Sequence, residues 1–268
     1  MMNQDRPGTL PAIDRAVAGL ARHWLFLANL AVGMYVGGTV LAPVLMRLGL
    51  ERAGRLVYTI YSFVCHQLPE RSYFLFGPAG LNTYSREQVI AWGADPGYLR
   101  GFVGNAQVGF KMGIAGRDIA IYATILLAGL GYALLRRHLR GLPAPADRRE
   151  VQAQVSGRAF LLLVLPMALD GLSHVVSEIS GLGFRESNSW LAALTGNAFS
   201  ELFYAGTTIG SFNWLMRTLT GALFGVAVVW FAYPHLQRAF GEVAHPARVE
   251  EGREPHAERR VNRKETAA

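Results

Sequence analysis

Phe160-Leu-Leu-Leu-Val-Leu-Pro-Met-Ala-Leu-Asp-Gly-Leu-Ser-His-Val-Val176 decides the fold, because it is apolar enough for a membrane yet carries Asp170 and His174 inside it. A run of this length lies within the range that can cross a bilayer as a helix. Three more stretches read the same way, over 25–46, 119–135 and 214–233. The second ends at Arg136-Arg-His138, and the fourth is bracketed by Trp214 and Trp230 and closed by Pro234. The expected fold class is therefore all-α: a polytopic membrane protein of about four transmembrane helices plus interfacial amphipathic helices. Composition agrees, since 51% of the residues are hydrophobic and only 17% charged, below the roughly 25% of a soluble domain.

The order of loops sets the topology. The segment Arg137–Arg158 is short and holds Arg137, Arg140, Arg148, Arg149 and Arg158, whereas Ser177–Asn213 has Arg185 as its one basic residue. The positive-inside rule places the first in the cytoplasm and the second outside. Both termini then fall on the cytoplasmic side of a prokaryotic inner membrane. The domain plan is a polar N-terminus (1–22), one transmembrane helical domain (23–236) and a polar tail (237–268) expected to be disordered. A formal charge of +7 would suit nucleic acid in a soluble protein. Here the basic residues cluster beside apolar spans, so membrane lipids are the expected partners and nucleic acid is not.

Two segments, 51–65 and 190–204, have amphipathic spacing and read as interfacial or re-entrant. Small-residue stripes at Gly33-x-x-x-Gly37 and Gly221-x-x-x-Gly225 suit close helix packing, and could join copies of the chain into a homo-oligomer. The single cysteine, Cys65, excludes an intramolecular disulfide and a multi-cysteine metal cage.

The unusual polar residues fall at one membrane face. Cys65-His-Gln-Leu-Pro-Glu-Arg-Ser72 supplies His66, Glu70 and Arg71, and Lys111, Arg117 and Asp118 follow at the mouth of the second span. Asp170, His174 and Glu178 recur at intervals of four, on one face of a helix, and Arg185, Glu186 and Asn188 lie in the next loop. A carboxylate inside a span costs about 2.5–3.5 kcal/mol at the helix centre, so Asp170 should face a partner or a wet cavity. Arg71, Lys111 and Arg117 are the candidate partners. The expected roles are His66, Glu70, Asp170 and His174 for acid–base work, and Arg71, Lys111, Arg117 and Arg185 for an anion or lipid head group. Asp118, Glu186 and Asn188 would support them. Asp170 and His174 also have the spacing of a pair of metal ligands, so a divalent metal is a candidate cofactor.

The run Tyr61–Gly77, with Gly109-Phe-Lys111, Arg117-Asp-Ile-Ala-Ile-Tyr122, Asp170-Gly171, Arg185-Glu-Ser-Asn188 and Gly210–Arg217, resembles an uncharacterised prokaryotic membrane family, domain-of-unknown-function family twenty eighty-five. The likeness spans roughly Asn29–Leu236. It implies a small multi-span protein with no established activity. Members commonly carry a second cysteine where this chain has Ala115, so a paired-thiol mechanism is not expected here. Three functional readings follow: an enzyme acting on lipid or polyprenyl head groups, a non-catalytic scaffold locked by the polar cluster, and a small transporter or ion-coupling subunit.

Overall fold

The computed structural model describes residues 12–78, 80–140 and 155–244. In chain order the elements are α1 (Ala12–Arg47), α2 (Glu51–Tyr61), β1 (Ser72–Gly77), β2 (Gly80–Asn82), α3 (Arg86–Ala91), β3 (Gly104–Asn105) and β4 (Gly109–Ala115). They continue with α4 (Gly116–Arg140), α5 (Gly157–Ser180), α6 (Phe184–Ser187), α7 (Ser189–Thr195), α8 (Glu201–Tyr204) and α9 (Phe212–Ala244). Helices α1, α4, α5 and α9 are long and apolar enough to cross a membrane. The chain is a mostly helical membrane protein.

The long helices exceed the spans read from hydropathy. At 1.5 Å per residue α1 is roughly 54 Å long, against roughly 30 Å of bilayer core. It takes in Ala12–Arg22, where alanines and an acidic Asp14 in the first turn favour helix despite the polarity. Pro234 does not close the fourth span, as its sequence position suggested; α9 runs on to Ala244. Packing outweighs the lost backbone hydrogen bond there. Trp24 of α1 donates its indole N–H to Gln237 at 3.0 Å and stacks on Phe240, holding the turns beyond the proline. The expected tail beyond 244 and most of the basic loop, 141–154, lie outside the described residues.

Helices α1, α4 and α9 pack on one another, while α5 packs extensively on α9 alone. Gly221 and Gly225 account for the α4–α9 contact. A Cβ at Gly225 would meet Ile121 O at 2.7 Å and Thr124 Cβ at 3.0 Å. That stripe is consumed inside the chain and is not free to pair with a second copy. In the other stripe Gly33 faces Leu126 and Gly37 is open.

The loop between α1 and α4 is a folded unit that hydropathy does not reveal. Its four strands form an antiparallel sheet in the order β2-β1-β4-β3. Phe74, Tyr84, Val89, Ala94, Leu99 and Val108 make its core. Gly109 has φ +84°, and a Cβ there would run into the Leu75 carbonyl, so only glycine lets β1 and β4 close. A Ser85–Gln88 capping box starts α3. Helix α2 buries Gly54, Tyr58 and Tyr61, and the Tyr61 hydroxyl donates to Tyr35 O of α1 at 2.5 Å. The second amphipathic segment, 190–204, is not one helix. It breaks at Gly196-Asn197, both with positive φ, into α7 and α8. This second loop docks on the sheet unit through Thr207 to Glu70 O (2.6 Å) and Ile209 N to Thr83 (2.7 Å), and the first turn of α9 adds the Trp214 indole to the Tyr73 hydroxyl (2.8 Å). Together they cap the end of the bundle opposite the termini.

Candidate functional site

Asp170 lies ten residues before the end of α5, about 15 Å along the helix, and is buried. Both its oxygens are taken by arginines. Arg117, in the first turn of α4, donates to Oδ2, and Arg185, from α6, donates to Oδ1 at 2.6 Å. Gly171 lies beside this contact: a Cβ there would sit 3.4 Å from the Arg117 guanidinium. One turn on, His174 presents Nε2 to Arg185 Nη2 at 3.2 Å and to Arg217 Nη2 of α9 at 3.5 Å. Guanidinium groups only donate, so this nitrogen accepts and the proton of the neutral ring is on Nδ1. A further turn on, Glu178 faces Arg71 at 3.7 Å.

Arg185 is the best-anchored member. Its carbonyl accepts from Asn188 at 3.0 Å and from Asn213, and these amides also donate to Tyr204 O and Gly206 O. Its backbone N–H donates to Ser177 Oγ at 3.0 Å, and the Ser177 hydroxyl donates to Glu186 at 2.6 Å. The Phe212 ring lies 5.4 Å from the guanidinium carbon. Burial lowers the guanidinium from its usual value, and the Asp170 carboxylate works against that; arginine stays charged regardless. Asn188, expected to support the site, bonds the Arg185 and Tyr204 carbonyls and touches neither Asp170 nor His174.

Four guanidiniums, those of Arg71, Arg117, Arg185 and Arg217, thus gather around three carboxylates, those of Asp170, Glu178 and Glu186, and one imidazole. The cluster is positively charged. The buried Nε–H groups of Arg117 and Arg185 have no hydrogen-bond partner, and an unsatisfied buried donor costs about 1–3 kcal/mol.

The remaining candidates are elsewhere. Lys111, expected among the anion binders, is fully buried in the sheet unit, where Nζ donates to Gln67 O at 3.0 Å and Arg100 O at 2.6 Å. Burial, reinforced by Arg100, lowers its pKa to about 7. It ties two loops together. His66 is exposed on the turn after α2 and makes none of the cluster's contacts. Glu70 gives the second loop its carbonyl, while its carboxylate Oε2 is buried without a partner. Asp118 turns to Cys65, whose thiol is pushed up to about 11 by burial and by that carboxylate. Cys65 Sγ also accepts from Ala115 N at 3.4 Å. Ala115 therefore lies directly against Cys65.

Arg217 and Asn213 join the cluster's contacts, though hydropathy reading passes over them. Arg217 lies within the expected fourth span, where an arginine is costly enough to need a reason; that cost is the signal which could have found it. Asn213 carries no comparable signal.

No protein-family model matches the chain. It is 25% identical over 151 residues to an uncharacterised protein of Methanocaldococcus jannaschii, a match covering 55% of this chain and 65% of that relative. The chain thus spans less than two thirds of the relative's length. No solved structure matches.

Proposed function

We propose that this membrane protein binds a phosphate-class anion, a head group, at the arginine cluster between α4, α5 and α9, where His174 orients two of the arginines. One observation carries the reading: guanidiniums outnumber carboxylates in a largely buried site, and two of their N–H groups point at no acceptor. Arginine forks match phosphate oxygens and form charge-assisted hydrogen bonds. Nε2 of His174 accepts from both Arg185 and Arg217, so the imidazole holds two of the guanidiniums in position for the anion. The positive-inside reading of the loops would put this site on the outer face, with both termini in the cytoplasm. The resemblance to domain-of-unknown-function family twenty eighty-five belongs to the same proposal.

A metal at Asp170 and His174 fits the surroundings less well. Both side chains already face guanidiniums, which would repel a divalent cation. Among the described residues no group of three or more His, Cys, Asp or Glu side chains is placed to hold a metal ion.

Titration calorimetry of the purified chain with inorganic phosphate and pyrophosphate tests the proposal. Arg185→Gln and Arg217→Gln should each weaken binding by about tenfold or more, the loss of one charge-assisted contact. Variants that bind as wild type does would contradict it. A second reading, the scaffold, has its own support. Asp170 receives a hydrogen bond from each of two arginines on other elements, which is how a lock between helices would look.

A further inference from the structure

The rim of the arginine cluster is not where a soluble anion would meet it. Asp170, His174, Arg185 and Arg217 are buried, whereas the Arg117 side chain is 25% exposed, that of Arg71 34% and that of Glu178 67%. The open edge of the site is therefore the seam between the start of α4 and the last turns of α5. Along α5, apolar side chains stay exposed past the level of the site. Leu172, Val175, Val176 and Ile179 are all exposed, and so is Leu182 beyond the helix. The surface beside the open edge is lipid-facing surface. A guanidinium partly exposed at that depth meets acyl chains, water or a lipid head group, and an acidic head group satisfies its charge best.

The seam continues along the helices. Helix α5 leans on α9, and α4 and α5 meet little beyond the Arg117–Asp170 bridge. The face of α5 turned to Arg117 is marked by Gly171. One turn earlier the same face carries Ala168, which is exposed. Gly171 and the exposed Ala168 thus put little side chain on this face of α5 below the positively charged mouth.

We infer that the anion is borne by a lipid, an acidic lipid with a phosphate head group that enters laterally from the leaflet. Its phosphate enters at Arg117 on the open edge and reaches in toward Arg185 and Arg217, and one acyl or prenyl chain lies in a groove between α4 and α5 over Ala168. This rests on the anion-binding reading above and adds the source of the anion and its route.

Native mass spectrometry of the full chain released from a non-ionic detergent tests it, with dioleoyl phosphatidic acid as the lipid and glycerol 3-phosphate and inorganic phosphate as soluble competitors. One phosphatidic acid should be retained per chain, and displacing it should take about a hundredfold more glycerol 3-phosphate or phosphate than lipid. Ala168→Trp fills the groove without touching an arginine. It should weaken lipid retention about tenfold while leaving inorganic phosphate binding at the wild-type level, which also shows that the variant is folded. Lateral entry is overturned if the soluble anions compete at equal concentration, or if Ala168→Trp retains lipid as wild type does. If Arg185→Gln changes neither lipid nor phosphate binding, the anion site itself is wrong.

Discussion

Asp170→Asn separates the two readings of the cluster because it changes charge and little else. The carboxylate is buried and compensates Arg117 and Arg185 directly, with Arg185 itself buried. Removing one partner of a buried ion pair costs about 3–5 kcal/mol, chiefly by stranding the other charge. Asparagine keeps one carbonyl oxygen that can accept from one arginine, so the low end, about 3 kcal/mol, applies. At about 2–4 °C per kcal/mol for a chain of this size, the apparent Tm should fall by roughly 6–12 °C. Fluorescence-detected size exclusion after heating in detergent measures this directly. The diagnostic arm adds inorganic phosphate. With one negative charge removed, the site is more positive and should take the anion more tightly than wild type. Phosphate at about a hundred times its Kd returns about 2.7 kcal/mol, most of the loss. A variant within about 1 °C of wild type would refute the claim that Asp170 neutralises buried arginines. A full loss of stability with no recovery in phosphate would refute the anion site and leave the lock.

Three further outcomes are expected. Lys111 ionises at about 7 in the folded chain against 10.5 ordinarily, so the unfolded chain holds more protons between those values. Stability should therefore rise from about pH 7 to about pH 10, and Lys111→Met should flatten that slope in melts across the range. Gly225→Val should cost about 1–3 kcal/mol by forcing α9 off the α4 backbone at Ile121, seen as a lowered melting temperature and not as altered ligand specificity. The Cys65 thiol, held up at about 11, should resist maleimide at pH 8 in the folded chain and react fast once the chain is unfolded; rapid labelling of folded protein would contradict its burial.

The sequence made the four long apolar helices legible for a simple reason. Long apolar runs are their own signal, and Phe160–Val176 announces a helix whatever surrounds it. The ends were less legible, since α9 passes Pro234 only because Trp24 grips Gln237 and Phe240 from a helix two hundred residues away. The sheet unit was hidden for a different reason. Its strands are two to seven residues long and are stabilised by pairing across the chain, which no local period records. Asp170 and His174 stood out because polar groups in an apolar run are costly. Lys111 looked like an anion binder by charge and proximity in sequence, yet the sheet turns it inward between two carbonyls. Arg217 is the opposite case, an arginine near a span end whose importance comes from the fold, which carries it to His174 from another helix.

The central claim is that an anion sits among Arg117, Arg185 and Arg217. A crystal structure of the chain grown with tungstate, a heavy-atom stand-in for phosphate, tests it most directly. An anomalous peak within about 4 Å of those guanidiniums, lost in Arg185→Gln crystals, is the predicted result. An empty cluster in well-ordered crystals that bind tungstate elsewhere would contradict it.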